Sequence, residues 1–199
     1  MPDFELEAIT KTKGFNLVCG VDEAGRGPLC GPVCAAAVIL DPDTEIEGVN
    51  DSKKLSEKKR EALFEVIKEK AVAYCVAFAS VEEIEEHNIL QATFLAMNRA
   101  IEGLSKKADY ALIDGNRVPK NITIPCETVI KGDAKSMSIA AASILAKVSR
   151  DRLLLEYAEK YPEYNFAKHK GYGTKEHIEA IKKYGPCEIH RASFLTKIK

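Results

Sequence analysis

Two adjacent carboxylates, Asp22 and Glu23, follow the apolar run Leu17 to Val21 and are followed by Gly25-Arg26-Gly27-Pro28. Glycines at 25 and 27 let the chain turn sharply and bring backbone N–H groups close to an anion with no Cβ in the way. Arg26 adds a permanent charge whose fork suits phosphate oxygens. The chemistry these types imply is an acid-lined metal site beside a phosphate cradle. Neighbouring side chains on a regular strand point to opposite faces, so Asp22 and Glu23 are expected to share a site only at a strand end. Two further aspartates are expected at strand ends: Asp114, after Tyr110-Ala111-Leu112-Ile113, and Asp133, after Val129-Ile130-Lys131-Gly132. Each alone reads as a turn former. If all four converge at one sheet edge, the cluster cannot stay fully ionised without cations. An all-oxygen donor set favours Mg²⁺ or Mn²⁺ over zinc. Two such ions about 4 Å apart suit in-line displacement at a phosphodiester, with no Ser, Cys or His nucleophile required.

Other segments bear on what such a site would act upon. Asp51-Ser52-Lys53-Lys54-Leu55-Ser56 is a loop whose lysine pair can meet backbone phosphate without reading sequence, or can simply be a solvated helix start. Lys168-His169-Lys170-Gly171-Tyr172-Gly173-Thr174 is basic and Gly-flanked, and Tyr172 is either a ring presented to a sugar or base or a packing residue at a turn. His169 is the nearest candidate for a mobile proton carrier, although a histidine in a basic loop more commonly faces solvent. Ala140, Ala141, Ala142, Ser143 and Ala146 form a small-residue helix surface suited to close packing on a sheet. The net charge is −1, yet residues 147 to 199 hold 12 of the 29 Lys and Arg against 7 of the 30 Asp and Glu. That division suits cations in an acidic region and a polyanion on a basic quarter, or is a fluctuation on solvated helices.

The elements that must position these residues are legible. Strands are predicted at Leu17 to Val21, Val33 to Leu40, Ala71 to Ala79, Tyr110 to Ile113 and Ile122 to Val129, the first three as an antiparallel meander. Ser56 is expected to cap a helix running to Lys70, Ser80 and Glu83 have capping-box spacing, and Ile89 to Leu104 has helical periodicity. A long helix is predicted from Ser136 towards Tyr161, and a short one after Thr174. This order implies an α/β fold, a mixed sheet with helices on its faces. The six cysteines contain no Cys-x-x-Cys pair and read as reduced, buried thiols. With no apolar stretch of membrane-spanning length and no signal-peptide start, a cytoplasmic protein is expected. Without coiled-coil heptads, a monomer is the default.

The run Gly20-Val21-Asp22-Glu23-Ala24-Gly25-Arg26-Gly27 resembles the signature of the type 2 ribonucleases H, the bacterial ribonuclease HII family. Asp114 in Ile-Asp-Gly-Asn, Asp133 in Lys-Gly-Asp, the Ser138 to Lys147 block, Ser52-Lys53 with Leu55, Gly171-Tyr172-Gly173-Thr174 and the His190-Arg191 segment extend the resemblance along the chain. It implies a ribonuclease H-like five-stranded mixed sheet over 1–160 with a helical C-terminal segment, 161–199, packed on it. It further implies Asp22, Glu23, Asp114 and Asp133 as catalytic metal ligands. Gly25, Arg26 and Gly27 would sense the ribose 2′-hydroxyl, Lys53 or Lys54 would contact the nucleic-acid backbone, and Tyr172 would pack on a deoxyribose. The implied activity is hydrolysis of RNA in RNA/DNA hybrids and incision 5′ to a ribonucleotide embedded in duplex DNA. A long N-terminal extension and a clamp-binding tail are not expected, and Ala134 stands where many relatives carry Ser. Two other classes share part of the pattern: a different two-metal nuclease or strand-transfer enzyme would keep the acids without needing the Gly-Arg-Gly sensor, and a binding module would need neither.

Overall fold

The structure is a computed structural model that describes residues 1–44, 46–50, 52–196 and 198. Asp51, the first residue of the lysine-pair loop, lies outside the described residues. Five strands, β1 (Val18–Ala24), β2 (Val33–Ile39), β3 (Ala73–Ala79), β4 (Tyr110–Asp114) and β5 (Cys126–Val129), form one sheet in the order β3-β2-β1-β4-β5. The β1-β2-β3 pairs are antiparallel, as the short first connection predicts, while β4 and β5 add in parallel beside β1. β5 is shorter than expected because Pro125 has no N–H to give the ladder; its carbonyl instead accepts from Ala111 at 3.0 Å.

Among the described residues, six helices surround the sheet: α1 (Glu5–Thr12), α2 (Glu57–Lys70), α3 (Val81–Glu102), α4 (Met137–Lys160), α5 (Phe166–His169) and α6 (Lys175–Tyr184). Ser56, Ser136 and Thr174 accept the N3 amide as N-caps, and Ser80 with Glu83 closes a capping box. α3 starts eight residues before the predicted periodicity and kinks at Asn88, whose φ of 68° breaks the helix and whose side chain re-caps the amides of Leu90 and Gln91. α1 carries no strong sequence signal. It is held by tertiary bonds: Asp3 bridges to the start of α4, and the buried Glu7 accepts from Ser136 Oγ at 2.6 Å and from the Ser138 amide at 3.0 Å.

The core lies on both sheet faces. Cys19, Val21, Ala35, Ala37 and Ile113 pack with α3, whereas Cys34, Ala36 and Val38 pack with α4 through Ala140, Ala141 and Ala146. The small side chains bring α4 so close to β1 that a Cβ on Gly20 would lie 2.2 Å from the Ile139 nitrogen. A third apolar cluster, around Leu154, Tyr164, Phe166 and Ile181, holds the C-terminal segment against α4. None of the helices among the described residues is long and apolar enough to cross a membrane.

Candidate active site

β1 does not end before the acid pair; it pairs with β2 through Ala24, so Asp22 and Glu23 are both strand residues. Their side chains therefore diverge. Asp22 shares the parity of Gly20 and lies on the α4 face, where the Ser143 hydroxyl bonds to it. Glu23 shares the parity of Cys19 and Val21 and lies on the α3 face, in a cavity of about 350 Å³ with Leu90, Phe94 and Asp114. Both lie within the last three residues of β1, so the place where they meet is the C-terminal edge of the sheet, which both faces reach.

Parallel pairing of Val21 with Ile113 sets Asp114 beside Asp22 at the C-terminal ends of β1 and β4. Asp114 Oδ1 accepts the Gly132 amide at 2.6 Å, which ties it to the turn Gly132–Ala134. Asp133 sits in that turn, buried, just before α4. A Cβ on Gly132 would meet Ile139 Cδ1 at 2.6 Å and Asp114 Oδ1 at 3.2 Å, so any larger residue there would have to shift the Ile139 side chain.

Electrostatics at this edge are unfavourable for bare carboxylates. Asp22 is 5% exposed, and burial, followed by the charges of Glu23 and Asp114, pushes its carboxyl well above the ordinary range. Burial likewise raises Glu23, against the opposing effects of Arg26, whose Nη1 lies 3.1 Å from Glu23 Oε1, and of Lys53. Among the described residues, no three Asp, Glu, His or Cys side chains are gathered tightly enough to cage an ion as they stand. The donor set nevertheless fits a hard divalent cation: all donors are oxygen, and burial still disfavours the charged forms of Asp22 and Glu23 even with Arg26 and Lys53 beside Glu23.

Gly25, Arg26 and Gly27 lead directly from Glu23 into an adjoining cavity of about 190 Å³ that also touches Lys53, Lys147 and Tyr172. Gly25 has a φ of 97°, a conformation that favours glycine. Tyr172 is 45% exposed, with Lys147 Nζ 5.9 Å from its ring centre and only 3.7 Å between its Cε1 and a Cβ built on Gly27. Lys53 joins this cavity and Lys54 does not. The short helical turn Ser52–Lys54 is pinned by a bond between Ser52 Oγ and Ser143 Oγ, 2.9 Å, which links the lysine loop to the acids. A larger cleft, about 910 Å³ between the start of α3 and the C-terminal half of α4, lies away from these acids.

His169 is corrected from a solvent-facing residue to a buried one: Nε2 donates to the Tyr164 carbonyl at 2.8 Å and Nδ1 accepts the Gly171 amide at 3.2 Å. Its role is to shape the loop that carries Tyr172. His177, which carries no distinguishing local signal in the sequence, does the same from α6. Its Nδ1 must donate to the Tyr172 carbonyl at 2.9 Å, leaving Nε2 to accept from His190 Nε2 at 3.1 Å. In the sequence Ser143 reads as part of a small-residue helix surface and Lys147 as the end of the Ser138 to Lys147 block, with no site role for either; their spacing of four places both on the face of α4 that meets the site.

Residues 19–197 match the family model described as Ribonuclease HII. The chain is 59% identical over 195 residues to the ribonuclease HII of Caldicellulosiruptor bescii, covering 98% of this chain and 94% of that protein. It is 63% identical over 182 residues to that of Endomicrobium trichonymphae, covering 92% and 87%. Among solved structures it is similar to the ribonuclease H2 of Pyrococcus horikoshii OT3, with a TM-score of 0.75 and 31% identity over 89% of this chain and 93% of that one. A ribonuclease HIII solved in complex with Mn²⁺ shares the fold, with a TM-score of 0.64 and 20% identity over 85% of this chain and 63% of that one. The mixed sheet with its acid-lined edge and the agreement along nearly the whole chain lead to one conclusion: this chain belongs to the ribonuclease HII family of metal-dependent nucleases that act on RNA/DNA substrates.

Proposed function

We propose that this enzyme hydrolyses the RNA strand of RNA/DNA hybrids and incises duplex DNA 5′ to an embedded ribonucleotide, leaving 3′-hydroxyl and 5′-phosphate ends. Asp22, Glu23, Asp114 and Asp133 would hold two divalent cations, Mg²⁺ or Mn²⁺. When bound, these supply an activated water at neutral pH and neutralise charge on the leaving oxygen. The observation that carries the reading is continuity: the acid-lined edge runs without interruption, through Glu23, into the cavity of Gly25, Arg26, Gly27 and Tyr172.

The backbone of Gly25 to Gly27 would hold the scissile phosphate and meet the 2′-hydroxyl, the one group that separates RNA from DNA at a single nucleotide. The half-exposed Tyr172 ring would stack on the sugar that follows. Lys53, with Lys54 beside it, would meet backbone phosphate without reading sequence. Arg26 pairs with Glu23 and so orients that carboxylate while keeping a positive charge at the junction of the two cavities.

The test is an end-labelled DNA duplex carrying one ribonucleotide, incubated with Mg²⁺ or Mn²⁺ beside all-DNA and RNA/DNA duplexes. A single cut 5′ to the ribonucleotide, lost in Asp133→Asn and absent from all-DNA, is the expected result. Cutting of the long hybrid alone would remove the junction-sensing role from the Gly25 to Gly27 loop and Tyr172.

A further inference from the structure

Two arginines lie beneath the Gly-Arg-Gly loop with, among the described residues, no carboxylate within ion-pair distance; Glu85 and Asp151 act on them only from further off. Arg191 is 0% exposed and Arg150 is 1% exposed. Arg191 donates to the carbonyls of Gly25 (2.7 Å), Pro28 (2.8 Å), Gly31 (2.9 Å) and Arg26 (3.2 Å). Arg150 donates to those of Cys30 (3.0 Å) and Pro32 (3.2 Å), and to Lys170 (3.1 Å) in the loop before Tyr172. Six of the eight carbonyls from Gly25 to Pro32 thus point at a guanidinium. Neither arginine forms an ion pair among the described residues. Burial, and the charge of Arg150 beside it, lowers Arg191 to about 9, the mark of cations crowded together out of water.

A buried charge without a counter-ion is costly, and carbonyl dipoles compensate it only in part. Groups perturbed in this way cluster at functional sites. With the carbonyls drawn inward, the amides of Arg26 and Gly27 donate to nothing among the described residues. Gly25 makes the arrangement possible, since a Cβ there would lie 2.1 Å from Arg150 Nε. N–H groups freed in succession on a turn, backed by two guanidinium groups that have no ion-pair partner, form an anion-binding nest.

We infer that Arg191 and Arg150 are positioning residues for anion capture: they turn the carbonyl ends of the loop inward, free the Arg26 and Gly27 amides, and supply a standing positive field for a phosphodiester. The inference rests on the reading of this loop as the phosphate-binding one. Neither guanidinium touches substrate; both act through the loop.

The test uses the full, metal-free chain and inorganic phosphate, so that it needs no cleavage. Amide signals of Arg26 and Gly27 are followed by NMR during phosphate titration of the wild type, Arg191→Met and Arg191→Lys, with melting temperatures in parallel. Saturable shifts of both amides are expected in the wild type. Lys keeps the charge but cannot hold four carbonyls, so affinity should fall at least threefold in Arg191→Lys and at least tenfold in Arg191→Met. On the ribonucleotide duplex, KM should rise by similar factors with a smaller change in kcat. Where an Arg191 variant does not fold, Arg150→Lys takes its place with the same threefold expectation. Wild-type amides that ignore phosphate, or a folded variant with wild-type phosphate affinity, would overturn the inference. Failure of the cleavage reading appears separately, as a wild type that binds phosphate but does not cut at the ribonucleotide.

Discussion

Gly20→Ala is the substitution whose consequence the structure defines most sharply. A Cβ at residue 20 would lie 2.2 Å from both the Ile139 nitrogen and the Ser138 carbonyl carbon, backbone atoms of α4 that no rotamer change can move. Restoring an ordinary contact of 3.4 Å requires β1 and α4 to separate by about 1 Å. Asp22 lies two residues further along β1, and Asp133 lies in the turn that leads into α4, so the separation passes directly to the acids. A misplacement of about 1 Å in a catalytic constellation costs roughly 100-fold in rate. Overpacking of a close-packed interface costs about 1–3 kcal/mol, which for a chain of this size lowers the melting temperature by roughly 2–10 °C. Melting would be followed by circular dichroism, and kcat/KM on an RNA/DNA hybrid measured in Mg²⁺ well below the melting temperature of the variant. A variant that melts with the wild type and keeps kcat/KM within threefold would refute the argument that the β1–α4 contact sets the geometry of the acids.

Four further outcomes follow from the same geometry. Gly27→Ala should fold normally, because its Cβ meets only Tyr172 at 3.7 Å, yet cleavage at a single ribonucleotide should fall at least tenfold; equal loss of melting temperature would show a structural effect instead. Asp22→Asn should abolish cleavage but raise the metal-free melting temperature by roughly 2–4 °C, equivalent to about 1 kcal/mol, because it removes a buried charge repelled by Glu23 and Asp114; a drop in the melting curve would contradict this. Tyr172→Ala should raise KM on the ribonucleotide duplex several-fold while Tyr172→Phe stays near wild type, since the ring face is the part offered at a half-exposed position. Finally, burial lowers His177 from 6.5 to about 4, so its neutral form is favoured in the fold. The unfolded chain then binds the extra proton between these values: the contribution is full above pH 6.5 and is lost progressively as pH falls towards 4, by up to about 3 kcal/mol. Urea midpoints of wild type and His177→Asn should converge as pH drops through that window, and parallel curves would rule the assignment out.

The chemistry-bearing residues could be found in the sequence because each carries a local signal. Acids beside β-favouring runs, glycines around a single arginine and serines at capping spacing all act within a few residues of themselves. The five strands and the capped helices follow from the same short-range rules, and the edges that moved did so for identifiable reasons, such as Pro125 shortening β5 and Asn88 re-capping α3. The close approach of α4 was legible too, as a run of small residues.

Long-range geometry decided the rest. Asp22 and Glu23 diverge to opposite faces because pairing with Cys34 and Ala35 carries β1 past them, and no local pattern encodes the partner strand. α1 exists against weak local preference because Glu7 satisfies the start of α4, 129 residues further along the chain from Glu7 to Ser136. Arg191 reaches Gly25 across 166 residues, so its buried, carbonyl-bound state could not be read from neighbours in sequence. The same holds for His177 and for the choice of Lys53 over Lys54. Residue types and their spacing therefore determined which chemistry the chain can perform and which elements carry it, since both depend on contacts a few residues apart. The tertiary structure alone decided which side chains share a site and what holds them there, because burial, strand register and the pairing of buried charge depend on residues that the sequence keeps far apart.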